Sequence, residues 1–137
     1  MKKLILTSII ILTASFVFGQ TNVNISNVNA LIKSSLVSST AFENSHIIKD
    51  APGAVIWFQV YNSLASAQFI QFFDSKTVPA DTSVPKITFT VGASSNLTIP
   101  VDLSGIPFVN GIVIVNSTTA PTKTIGAANC FFSVVAR

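Results

Sequence analysis

The chain has 137 residues, enough for one compact domain. Apolar residues make up 49% and charged residues 9%, which excludes intrinsic disorder, since a disordered chain needs low hydrophobicity and high charge. One His, one Cys and five acids leave too little material for a paired-carboxylate site, a metal cage and a catalytic triad, so the chain reads as a non-enzyme needing neither metal nor cofactor.

The formal charge of +3 includes Lys2 and Lys3; without them six Lys and Arg face five Asp and Glu. The remaining cations, Lys33, Lys49, Lys76, Lys86, Lys123 and Arg137, are scattered, and nucleic acid is not an expected partner, because it requires clustered basic side chains. Polarity comes instead from 17 Ser, 13 Thr and 10 Asn. A surface of hydroxyls and amides suits an extracellular or particle-surface protein.

Residues 1–19 (MKKLILTSIIILTASFVFG) pair a two-lysine start with a short apolar run, the pattern of a secretory signal peptide, with cleavage between Gly19 and Gln20. The run is shorter than the ~20 apolar residues of a permanent span. The alternative is an uncut N-terminal anchor, through which the protein would touch a membrane. Residues 20–32 (QTNVNISNVNALI) form an Asn-rich arm. Cys130 is single, so no intrachain disulfide forms, and its alternating neighbours make it a small core residue.

Residues 33–137 read as short alternating runs separated by turn residues, with no helical period. Runs at 36–42 and 46–49 are weak. Residues 53–61 (GAVIWFQVY) are almost all apolar, as in a strand buried on both faces, and 67–73 (AQFIQFF) follow. Residues 86–91 (KITFTV) and 96–101 (NLTIPV) alternate cleanly. Pro100 cannot donate to a ladder and marks an edge strand or a strand end. Residues 108–115 (FVNGIVIV) read as one strand with a bulge or bend at Gly111. Residues 129–136 (NCFFSVVA) form the last. Seven or eight strands at this spacing indicate an all-β, antiparallel, jelly-roll-like sandwich, with Phe filling the space between the sheets. Segments 75–85 and 116–128 are its longest loops.

His46 is the only imidazole. Ser45 and Asp50 lie nearby in sequence, but neighbours on a strand point to opposite faces, so a strand-end His is expected rather than a base. Asp50, Asp74, Asp81 and Asp102 sit where turn formers sit, and no loop is acidic enough for calcium. Trp57 and Tyr61 share one side of their strand, with Gln59 between. Core packing is the simpler expectation for this stripe; stacking on sugar rings or lining a subunit interface are the others. Phe131 and Val135 make the second face of the last strand apolar as well, which points to contact with another subunit, a partner or the N-terminal arm.

Several stretches are distinctive: 67–74 (AQFIQFFD), 78–80 (VPA), 84–91 (VPKITFTV) and 108–132 (FVNGIVIVNSTTAPTKTIGAANCFF). Over residues 50–137 they resemble small β-sandwich virion proteins encoded by tailed phages and prophages. The resemblance implies a structural or decorating role, self-association into a homo-oligomer, contact with other virion proteins or host surface glycans, and no catalytic residues. The expected location is the virion surface, or the extracellular space if residues 1–19 are cleaved. The other functional expectation is an exported bacterial binding or adhesion module that recognises glycans or another surface ligand.

Overall fold

The computed structural model describes residues 33–137; the leader at 1–19, its Gly19/Gln20 junction and the arm at 20–32 lie outside the described residues. Nine strands and no helix follow: β1 (Ser35–Ser38), β2 (Ser45–Lys49), β3 (Gly53–Asn62), β4 (Gln68–Asp74), β5 (Ile87–Val91), β6 (Ser95–Pro100), β7 (Ile106–Phe108), β8 (Ile112–Ser117) and β9 (Cys130–Ala136). They form two antiparallel sheets. The first runs β1-β9-β3-β6, with β7 continuing alongside β3; the second runs β2-β8-β4-β5. The chain passes repeatedly from one sheet to the other, the jelly-roll arrangement that the alternating runs predict.

The ninth strand arises because residues 108–115 are not one strand. Phe108 ends β7 in the first sheet, whereas Ile112 begins β8 in the second. Gly111 is therefore a corner between sheets and not a bulge. A Cβ there would stand 2.6 Å from the Ser75 carbonyl oxygen and 2.9 Å from that of Lys49, so only glycine fits. The bulge of this sheet lies in β3, between Val55 and Trp57 opposite β9. It shifts the alternation by one residue: Val55, Phe58 and Val60 are fully buried, while Gln59 is only half-buried and Tyr61 exposed. The largely apolar run at 53–61 is thus one inward face interrupted by a phase shift, not a strand buried on both sides.

Phenylalanine fills the space between the sheets. Phe58 of β3 meets Phe72 of β4 edge-on at 5.0 Å and Phe89 of β5 at 4.9 Å, and Phe72 also packs near Phe108 of β7 at 6.2 Å. Cys130 is buried and unpaired, and burial pushes its thiol up to about 12. Pro100 closes β6, which is the edge strand its ring requires.

The two outer faces of the sandwich differ. On the second sheet, Phe73, Val113 and Val115 pack under Ile125 from the loop that follows β8. Buried Gln71 fastens that loop by donating its amide hydrogens to the carbonyls of Thr119 (2.8 Å), Ala120 (3.0 Å) and Thr122 (3.3 Å). Lys123, only 4% exposed, reaches Asp81 in the β4–β5 loop at 2.5 Å and ties the two longest loops together. Over the first sheet the connection between β1 and β2 brings the Phe42 ring to 6.1 Å from that of Tyr61, and Leu36 and Tyr61 stay exposed.

Candidate interaction face

Strand register orders the open face of the first sheet into three rows. Leu36, Val135, Trp57 and Pro100 stand side by side in one. Ser38, Ser133, Gln59 and Thr98 form the next, with the Ser38 hydroxyl donating to that of Ser133 at 3.1 Å. Phe131, Tyr61 and Asn96 form the third, where the Phe42 ring lies 6.1 Å from that of Tyr61. The face is banded: apolar, polar, aromatic. None of these side chains is charged.

The structure brings Trp57, Tyr61, Phe131 and Val135 together on this face. The expectation of core packing for Trp57 and Tyr61 does not hold. The β3 bulge sends Phe58 and Val60 inward instead, leaving Trp57 half-buried and Tyr61 36% exposed. Strand β9 alternates buried Cys130, Phe132, Val134 and Ala136 with half-buried Phe131, Ser133 and Val135. Sequence reasoning missed Leu36 (62% exposed) and Phe42 (50%), both in the weak first run. The run Ser35–Ser38 (SLVS) sets two apolar residues side by side, so its pattern does not say which of them faces outward. A shallow recess of about 150 Å³ opens between rows two and three, lined by Gln59, Tyr61, Asn96, Phe131 and Ser133.

Elsewhere several polar side chains are engaged by the fold. His46 Nδ1 lies 2.8 Å from Glu43, not beside Ser45 or Asp50 in a base-like arrangement. Asp102 accepts hydrogen bonds from the Ser104 hydroxyl and from the N–H groups of Ser104 (2.8 Å) and Gly105 (3.1 Å), closing a turn in which Gly105 has φ 71°. A cleft of about 470 Å³ opens beside Phe73, Pro79, Val84 and Pro85, but its two charged groups are engaged. Lys86 lies 3.6 Å from Asp74 and over the Phe108 ring. Asp74 accepts from the N–H groups of Val109 (3.0 Å) and Asn110 (2.7 Å), with that of Gly111 at 3.4 Å, and so holds the corner between β7 and β8. Among the described residues no three His, Cys, Asp or Glu side chains converge as metal ligands. Nor, among them, is any helix long and apolar enough to cross a membrane.

Comparison with family models, with curated proteins and with solved structures gives no match.

Asp74 carries a pH prediction. The Val109 N–H foremost, helped by those of Asn110 and Gly111 and by the Lys86 ammonium, holds its carboxyl below the usual carboxylate range; burial, second in size to the Val109 bond, opposes them. A depressed folded-state value contributes stability above the unfolded value, about 3.9, and that contribution is lost as pH falls through the lower folded value. Asp74→Asn is expected to lower the urea midpoint at pH 7 and to narrow the difference between pH 7 and pH 3. An unchanged pH dependence would show that the carboxylate does not hold the corner.

Proposed function

We propose that this protein is a non-enzymatic structural component that builds or decorates a surface, that of a phage particle on the resemblance over residues 50–137, by self-association through the open face of its first sheet. The single observation that carries the reading is the contrast between the outer faces. One is largely covered by the chain's own loops, with Ile47 left exposed towards its edge; the other presents Leu36 and Tyr61 exposed and Trp57, Phe131 and Val135 half-buried, with the Phe42 ring beside Tyr61. Exposed apolar and aromatic rows of this kind are the features by which an interaction site is recognised. Jelly rolls serve in capsids and in lectins, which agrees with the reading at the level of fold analogy only.

Association tests it. Native mass is expected to rise with protein concentration, and emission from Trp57, the chain's one tryptophan, to shift to the blue as water leaves the face. Trp57→Ser and, at a more exposed position, Leu36→Ser are expected to shift the mass back to monomer. A monomer at every concentration, or an assembly indifferent to both substitutions, would overturn the reading.

A second reading, an exported glycan-binding module, is favoured by the recess itself, which sets two aromatic rings beside amides and hydroxyls. It expects binding of neutral oligosaccharides by a monomer, lost in Tyr61→Ala.

A further inference from the structure

We infer that the open face is covered by a second copy of the same face, related by a twofold axis that lies along the middle row and crosses the strands. The inference rests on the self-association reading and specifies its geometry.

A twofold interface must complement itself, because the same patch serves both partners. Charge on the axis itself would face like charge; the Ser38–Ser133–Gln59–Thr98 row carries none. The order of the three rows then selects the axis. Rotation about the Ser38–Ser133–Gln59–Thr98 row leaves that row facing itself, where hydroxyls and amides exchange hydrogen bonds across the contact. The same rotation reverses the strand direction. Trp57 of one copy comes over Tyr61 of the other, and Val135 over Phe131. The recess between Tyr61 and Phe131 then receives the apolar row. An axis along the strands would instead set recess on recess and leave both unfilled, forfeiting dispersion contacts on either side. Reversal of strand direction is no obstacle, since sheets stack by side-chain interdigitation with their strand lines within about 30°. The patch has about a dozen residues, fewer than the roughly 20–30 of a standard interface, so the dimer is expected to be weak, roughly micromolar.

Cysteine cross-linking of the full-length protein with a short bismaleimide tests the register. Cys130 is buried with its thiol held protonated, so an introduced cysteine is the reactive one. Thr98 lies on the axis and faces itself; Leu36 lies off it and is carried away from its own copy. Cross-linked dimer is expected for Thr98→Cys and not for Leu36→Cys. Independently, Gln59→Lys sets two ammonium groups against each other on the axis. It is expected to weaken the dimer at least tenfold, with partial rescue by salt.

Cross-linking of Leu36→Cys alone, or of both variants equally, would overturn the axis while self-association stood. Dimers that neither cysteine captures and Gln59→Lys leaves intact would move the contact to another face. A monomer at all concentrations, whether or not it binds neutral oligosaccharides, would overturn the axis and the self-association reading together.

Discussion

Truncating Phe72 to alanine is expected to cost about 3–5 kcal/mol, the range for removing a fully buried aromatic ring. The ring is completely inaccessible and touches aromatic neighbours from both sheets, Phe58 and Phe108 from the first and Phe89 from the second. No flexible side chain stands beside it among these contacts to collapse into the void. For a domain of this size the melting temperature should fall by about 15 °C. On the self-association reading the folded fraction should still associate, because Phe72 lies in the core between the sheets. A loss under about 1 kcal/mol would mean that the aromatic cluster is not the joint between the sheets.

Gln71→Ala is expected to act on the other side of the second sheet. The amide is fully buried and supplies hydrogen bonds to three carbonyls of the β8–β9 loop. Without it those carbonyls lose a donor, at a cost of about 2–3 kcal/mol. The consequence is local before it is global. The loop carries Lys123, which is buried in the native chain and so protected from trypsin. Release of the loop should make the bond after Lys123 a preferred early cleavage site and should uncover Phe73, Val113 and Val115 to a hydrophobic dye. Equal cleavage of variant and parent would show that the loop is held by the Lys123–Asp81 pair and not by Gln71.

The clean alternation in β5 and β6 was legible because each strand has one wet face; Thr98 and Ile99 announce their sides by chemistry alone. Pro100 likewise marked an edge. The corner at Gly111 was not legible. What divides residues 108–115 is the carboxylate of Asp74, some 35 positions earlier, gathering the amides of Val109 and Asn110, and periodicity is blind to such distant partners. The sides taken by Trp57 and Tyr61 depended on one extra residue in β3, and a single-residue slip exchanges the two faces of a strand. Gln71 was visible as an amide inside an apolar run, but nothing local said that its partners lie in a loop nearly 50 residues away.

The place of β9 bears on when the molecule can fold at all. It is the last strand to leave the ribosome of the nine, yet it lies in the interior of the first sheet, between β1 and β3. Ser38 and Ser133, hydrogen-bonded across it, are 95 positions apart. Until residues 130–136 arrive, β1 has no neighbour and β3 lacks one side of its ladder. Residues 130–136 must therefore be made before this sheet closes, and the high sequence separation of its contacts makes closure slow. Through that interval the apolar side chains and strand edges that the finished sheet buries stay open to water. A version lacking residues 130–137 should never close this sheet.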